Sequence, residues 1–251
     1  MPFAERQFIK MKKALKYLLT ILIGISAVMA LYGCGNQSQP DSPSGVTNPQ
    51  DKVTSSQDEA TNPPDDSDRQ PDAETKTLVV YFSAPDNKDN SYVEINGERL
   101  GNTQYMAYVI QENTGASIFR ILPKTPYPTD HNELLQVAQN EIRTNARPEI
   151  DGTIEDFDSY DVVFVGYPNW NADLPYIMYN FFETYDFSGK TIVPFNTHGG
   201  SGFSGTQETI AKLEPDATML EGKSISRNSI DGAKQDIIDW LDSIGMLKND
   251  K

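Results

Sequence analysis

Two short polar segments carry residue types that suit a phosphate group. Ser83 follows the apolar run 77–82, and the segment 101–104 stands where a helical pattern begins. Hydroxyl groups and the free backbone N–H groups of a helix N-terminus together bind anions. Asn102 and Thr103 can also serve only as helix caps, so capping remains the alternative.

The same region lacks the two commonest nucleotide-binding motifs. No Gly-Lys-Ser/Thr follows Gly101, and no Gly-x-Gly-x-x-Gly pattern stands in the loop. These absences count against hydrolysis of a nucleoside triphosphate and against a dinucleotide site of the NAD type.

A second loop carries an aromatic ring between two amides. Trp170 lies between Asn169 and Asn171, four residues after the end of the apolar run 162–166. A core tryptophan more often lies inside a periodic element, as Trp240 does, so we expect Trp170 to stack on a flat ring. Plain packing is the alternative. The two asparagine amides can contact the polar edge of such a ring.

A third loop, 196–204, contains three glycines and a histidine. The glycines allow the backbone to approach a ligand closely. His198 can act as a general acid or base, as a donor to a ring oxygen, or as a structural residue. His131 stands near a helix start and is expected at the surface. Two separated histidines and one cysteine predict no metal site.

Apolar runs and helical patterns alternate from residue 77 onward. The predicted strands are 77–82, 116–122, 161–166, 191–196 and 217–220, with a further extended piece at 224–227. The predicted helices are 103–113, 130–145 (capped by Thr129 or Asp130, with Leu134, Leu135, Ala138 and Ile142 on one face), 174–184, 206–213 and 230–244. This alternation predicts an α/β fold with a five-stranded parallel sheet and helices on both faces.

Ligands of such sheets bind at the carboxyl ends of the strands, where all three polar loops would lie. A phosphate site and a stacking loop on one sheet edge indicate flavin mononucleotide (FMN). The candidate cofactor-binding residues are Ser83, Ala84, Gly101, Asn102, Thr103, Gln104, Pro168, Asn169, Trp170, Asn171, Asn196, Thr197, His198, Gly199, Gly200 and Gly202. The only catalytic candidate is His198.

From residue 77 to about 244 the chain resembles the flavodoxin-like family. The matching segments are 81–83, 101–103, 161–166, 167–168, Trp170, 174–175, 185–190 and 197–202. The resemblance implies a three-layer fold with strand order 2-1-3-4-5 and FMN bound without a covalent bond. It also implies that the phosphate contacts Ser83 and 101–104, and that the ring lies between the Trp170 loop and the 196–202 loop.

The sequence departs from that family in two places. Residues 85–100 interrupt the phosphate loop, and Trp170-Asn171-Ala172 stands where this branch often has Trp-Trp-Gly. A turn at positive φ must then use Asn171 or strain Ala172. We therefore expect mainly two-electron cycling.

The first part of the chain has the layout of an export signal. Basic residues precede the apolar run 17–30, and Leu-Tyr-Gly-Cys ends at Cys34, the only cysteine. This resembles a bacterial lipoprotein signal, with 1–33 removed and lipid attached to Cys34; plain secretion and an uncleaved anchor are the alternatives. Residues 34–76 are polar and Pro-rich, which predicts a disordered tether before a domain at 77–251.

The composition limits the partners of the protein. The formal net charge is −15, so nucleic acid is a poor partner. We expect an FMN-binding electron-transfer protein, anchored outside the cytoplasm to a bacterial membrane, with a redox protein or a small molecule as partner. The alternatives are an FMN-dependent reductase of a quinone or other small acceptor, and a lipoprotein that binds a non-redox ligand or a protein.

The lipid anchor can be tested by removing the thiol. Cys34→Ser should release the protein from membranes or leave it unprocessed, because no other cysteine can carry the lipid. Ser38→Ala is the matched control and should fractionate with membranes. Mass spectrometry of the mature N-terminus is the measurement, and an unmodified N-terminus elsewhere in the native chain would contradict the prediction.

Overall fold

The computed structural model describes residues 75–84 and 91–248. The predicted signal 1–33, Cys34 and residues 35–74 of the predicted tether lie outside the described residues. So does the segment 85–90, which is the first part of the interruption in the phosphate loop.

Strands and helices alternate along the described chain. The strands are β1 (Thr77–Phe82), β2 (Tyr92–Ile95), β3 (Glu98–Gly101), β4 (Ser117–Pro123), β5 (Ile150–Asp151), β6 (Val162–Pro168), β7 (Thr191–His198), β8 (Thr218–Met219) and β9 (Lys223–Ser226). The α-helices are α1 (Asn102–Thr114), α2 (His131–Thr144), α3 (Tyr176–Thr184), α4 (Thr206–Leu213) and α5 (Lys234–Ser243). Single 3-10 turns lie at Phe157–Ser159 and Ile230–Gly232.

The predicted α/β fold is confirmed. The main sheet has the order β5-β4-β1-β6-β7-β8, and β9 also pairs with β7. The parallel strands of this sheet are β1, β4, β6, β7, β8 and β9. If they are counted in chain order, with β8 and β9 together as the fifth strand, they have the expected order 2-1-3-4-5. Strand β5 is antiparallel to β4 and was not predicted.

The fifth strand is split in two, β8 and β9, which correspond to the predicted strand 217–220 and the predicted extended piece 224–227. Ile192 of β7 pairs with β8, and Phe195 pairs with β9. Pro194 lies between these residues and has no N–H group to donate to a neighbouring strand. The chain also passes close to β7 here, since a Cβ on Gly222 would lie 2.6 Å from the carbonyl oxygen of Pro194.

The interruption of the phosphate loop ends in a hairpin that the sequence analysis did not predict. Strands β2 and β3 are antiparallel and are joined by Asn96 and Gly97, which have φ values of 53° and 81°. Positive φ at both central residues is the conformation of a type I′ hairpin turn. Val93 and Leu100 are buried, which anchors the hairpin to the core. Strand β3 then leads directly into α1.

The sheet has an apolar core on each face. Alternate residues of β1 point to opposite faces, so Val79 packs with α1 and α5 while Val80 packs with α3 and α4. Trp240 of α5 lies in the first core, and Phe181 of α3 lies in the second. The three layers that the family resemblance implied are therefore present.

Helix α2 buries a different face from the one predicted. Asp130 caps the helix as expected, since its carboxylate accepts the N–H groups of Asn132 and Glu133. Of the predicted apolar face, Leu134 and Ala138 are buried, whereas Leu135 and Ile142 are 36% and 38% exposed.

Glu141 takes the place of those apolar side chains. It is buried, and the hydroxyl of Tyr127 donates to its Oε2 at 3.3 Å. Burial raises the pKa of Glu141 above its usual range, and the hydrogen bond from Tyr127 opposes part of that rise. A hydrogen-bonded polar pair can therefore occupy a buried position, although the apolar periodicity of the helix predicted burial of other residues.

Candidate functional site

A cleft of about 180 Å³ lies at the carboxyl ends of β1, β6 and β7. Predicted residues that line it are Ser83, Ala84, Asn102, Thr103, Pro168, Asn169, Trp170, Asn171, Thr197, His198 and Gly199. Gly101, Gln104, Asn196, Gly200 and Gly202 are not among its lining residues. Six lining residues were not predicted from the sequence: Ser91, His131, Leu134, Leu135, Ala138 and Arg227.

One end of the cleft is formed by the start of α1. Asn102 and Thr103 are its first residues, and both are buried. The Thr103 hydroxyl lies 2.8 Å from the hydroxyl of Thr197, which joins the start of α1 to the end of β7. The N–H of Asn102 donates to Ser91 O at 2.9 Å. The first turn of α1 contains no acidic residue, so its remaining N–H groups and the helix dipole favour an anion here.

Gly101 and Gln104 support this end of the cleft from outside its lining. The amide oxygen of Gln104 accepts the N–H of Gly101 at 3.2 Å, and its amide nitrogen donates to the Tyr108 hydroxyl at 2.9 Å. Both ends of the Gln104 side chain are therefore engaged in fixing the first turn of α1. A direct contact between Gln104 and a ligand stays a prediction.

Residues 170–173 form a tight turn, which we call the Trp170 turn. Trp170 N donates to Asp173 O at 3.0 Å, and Asp173 N donates to Trp170 O at 2.9 Å. The central residues Asn171 and Ala172 have φ values of 53° and 60°, so this is again a type I′ turn. The sequence predicted that a turn at positive φ would use Asn171 or strain Ala172, and Asn171 takes such a φ. Ala172 does so as well, at a cost of roughly 1 kcal/mol.

The Trp170 ring contacts two aromatic side chains at nearly right angles. Its centroid lies 5.3 Å from that of Phe82 and 5.2 Å from that of Tyr127, with interplanar angles of 83° and 89°. Neither neighbour is stacked flat on the indole. Edge contacts of this kind fix the orientation of a ring without parallel stacking. Tyr127 had no role in the sequence analysis.

Two asparagines share one backbone acceptor behind the third loop. The side-chain nitrogens of Asn169 and Asn196 donate to Gly202 O at 2.9 Å and 3.0 Å. Their Oδ1 atoms are buried and have no hydrogen-bond partner among the described residues. A buried acceptor without a partner costs about 1–3 kcal/mol, so a ligand N–H at Asn169, which lines the cleft, would recover that energy.

His198 is held in one tautomer. Its Nδ1 accepts the backbone N–H of Gly200 at 2.9 Å, so the ring proton of the neutral form is on Nε2. Burial lowers the pKa of His198 below its usual range, because the charged form loses hydration. His198 is therefore suited to donate a hydrogen bond from Nε2 as a neutral group.

The charge of the cleft is opposite to that of the chain. Its lining includes the cationic side chain of Arg227 but no aspartate or glutamate among the described residues, although the formal net charge of the chain is −15. The guanidinium of Arg227 packs on the third loop, since a Cβ on Gly199 would lie 3.6 Å from its Cζ. This local balance suits an anionic ligand.

His131 is a correction, because it lines the cleft where we expected it only at the surface. The neighbouring Leu134, Leu135 and Ala138 of α2 add an apolar wall beside it. The predicted apolar face of this helix, which includes Leu134, Leu135 and Ala138, is the sequence signal that could have indicated this wall.

The described part of the chain shows neither a metal-binding cluster nor a helix that could span a membrane. Residues 75–84 and 91–248 contain no group of three or more His, Cys, Asp and Glu side chains placed to hold a metal ion. Within the same residues, no helix has both the length and the apolar character needed to cross a membrane.

Comparison with known proteins points to one family. The sequence model of the flavodoxin family matches residues 76–244. Among solved structures, a protein from Bacteroides eggerthii assigned as a flavoprotein has 31% identity and a TM-score of 0.55, over 68% of this chain and 98% of that one. A second such protein, from Bacteroides uniformis, has 25% identity and a TM-score of 0.49, over 64% and 98%.

A flavoprotein from Lactobacillus acidophilus, solved in complex with FMN, is more distant. It has 18% identity and a TM-score of 0.47, over 63% of this chain and 97% of that one. Among the curated proteins, none matches this chain.

The environment of His198 predicts how it titrates. The folded-state pKa should lie below the usual 6.5, because burial disfavours the imidazolium. Above about pH 6.5 the ring is neutral in both states, so the stability of the fold is fully present there; it falls as the pH drops through the folded pKa, since the unfolded chain takes up the proton first. NMR titration of the ring signals is the measurement, with His198→Gln to distinguish the two histidines of the chain. A midpoint at or above 6.5 would contradict this account.

Proposed function

Because the chain belongs to the flavodoxin family, whose cofactor is FMN, we propose that its cleft binds FMN and that the protein transfers electrons. One observation carries this proposal. The cleft joins the N-terminus of α1, which favours an anion, to the Trp170 turn, which offers an aromatic ring. FMN has a phosphate at one end and a flat ring system at the other.

The residues of the cleft fit the two ends of FMN. Ser83, Asn102 and Thr103 would bind the phosphate through their side chains and the N–H groups of α1. The ring would lie between Trp170 and the third loop.

At the edge of the ring, Asn169 Oδ1 would accept a ring N–H and His198 Nε2 would donate to a ring oxygen. Bound FMN would supply the redox chemistry, while these side chains bind it, orient it and exclude water.

A role as electron carrier is our first proposal, with a redox protein as partner. The signal-like N-terminus and Cys34 support a position outside the cytoplasm, attached by lipid to a bacterial membrane. The acidic composition supports a partner with a basic surface, since opposite charges accelerate association.

A second candidate is a reductase of a quinone or another small acceptor. The apolar wall of Leu134, Leu135 and Ala138, which lines the same cleft as Trp170, favours it, because a flat apolar molecule could bind there next to the flavin. Leu135 is 36% exposed and remains accessible to such a molecule.

The two candidates differ in a steady-state assay. For an electron carrier, the FMN-loaded chain should oxidise NADH or NADPH in the presence of a soluble benzoquinone no faster than free FMN does. A saturable rate well above free FMN would contradict the carrier. If that rate is lost in Leu135→Asp but kept in Ile142→Asp, the acceptor binds in the cleft. Ile142 is the matched control, since it is 38% exposed on the same helix and does not line the cleft.

Trp170→Ala should weaken FMN binding to the chain. Loss of stacking on one aromatic ring costs roughly 1–3 kcal/mol, which is about 5-fold to 150-fold in the dissociation constant. Trp170→Phe keeps an aromatic face and should lose much less. Fluorescence titration with FMN is the measurement, and equal affinity of Trp170→Ala and the native chain would reject the ring position proposed here.

A further inference from the structure

We infer that Asp173 and Tyr179 are positioning residues, which hold the Trp170 turn in the conformation that binds the flavin ring. This inference rests on the proposed function. The Trp170 turn is strained, and Asp173, the residue that closes it, accepts a hydrogen bond from Tyr179 of α3.

Asp173 contacts the turn through its backbone and the following helix through its side chain. Its backbone N–H and carbonyl close the Trp170 turn. Its Oδ1 accepts the N–H of Leu174 at 2.7 Å and the hydroxyl of Tyr179 at 2.9 Å. One carboxylate therefore joins the turn to α3, and hydrogen bonds to a charged acceptor are stronger than those between neutral groups.

Tyr179 is itself held in place. The guanidinium of Arg147 lies 5.0 Å from its ring centroid, and Arg147 is paired with Glu183 of α3 at 2.7 Å. Burial, followed by the hydrogen bond to Asp173, raises the pKa of Tyr179 above its usual range. The hydroxyl thus keeps its proton at neutral pH and remains a donor to Asp173.

The turn needs such support because of Ala172. Its φ of 60° lies in the left-handed region at the second central position, where type I′ turns strongly favour glycine. A strained backbone persists only where the surrounding structure determines it. Since Trp170 is the first residue of the turn, a change of the turn would move the ring that contacts Phe82 and Tyr127.

Tyr179→Phe removes only the hydroxyl that contacts Asp173, so it tests this inference directly. We expect FMN to bind about tenfold more weakly in the full chain, as for loss of one hydrogen bond to a charged group. Tyr176→Phe is the matched control. Its ring lies 4.9 Å from that of Tyr179 on the same helix, and its hydroxyl is not among the donors to Asp173. It should bind FMN as the native chain does.

Ala172→Gly distinguishes positioning of the turn from a general loss of stability. Glycine takes a positive φ without strain, so the turn should no longer depend on Tyr179. In the Ala172→Gly background, Tyr179→Phe should therefore change the FMN dissociation constant less than about threefold. Ala172→Gly alone should stay within about twofold of the native chain.

Each outcome decides between the claims. Absence of FMN binding by the native chain would reject the proposed function itself. Native binding that Tyr179→Phe leaves unchanged would overturn only the positioning role. The positioning role would also be overturned if Tyr179→Phe weakened FMN binding equally in the native chain and in the Ala172→Gly background. The hydroxyl would then act on the general stability of the protein. If Tyr179→Phe does not fold, Asp173→Asn provides the same comparison, because it keeps a weaker acceptor for the hydroxyl.

Discussion

The parallel pairing of β1, β6 and β7 is the constraint on which the rest of the structure depends. Tyr81 pairs with Gly166, and Gly166 pairs with Phe195, so the three strands end at the same edge. The pairing needs glycine in β6, because a Cβ on Gly166 would lie 2.2 Å from the Phe195 ring. Loops that are far apart in sequence therefore open into one cleft. The hydrogen bond between Thr103 and Thr197 joins two of them directly.

The cleft also depends on backbone conformations that the surrounding structure must hold. Asn171 and Ala172 take positive φ values within the turn that carries Trp170. The side-chain nitrogens of Asn169 and Asn196 both donate to Gly202 O. Their Oδ1 atoms are buried behind the third loop and have no hydrogen-bond partner among the described residues. Unpaired acceptors and a strained turn lower stability, and such features are found where a ligand completes the structure.

Local patterns in the sequence predicted the sheet and most of the cleft, because apolar runs followed by polar loops are local signals. Helix α4 has the predicted bounds, 206–213. The hairpin of β2 and β3 was missed although Asn96-Gly97 is a strong turn signal. Arg227 and His131 reach the cleft only through the tertiary fold, and no local pattern marks them. The buried Glu141 likewise depends on Tyr127, which is distant in sequence.

A calorimetric titration of the whole chain with FMN and, in parallel, with riboflavin tests the central claim most directly. The two ligands share the ring system and differ in the phosphate. If the start of α1 binds the phosphate while the Trp170 turn binds the ring, FMN should bind markedly tighter than riboflavin, and the difference should shrink in high salt. Equal affinity for the two ligands, or binding of neither, would contradict the account.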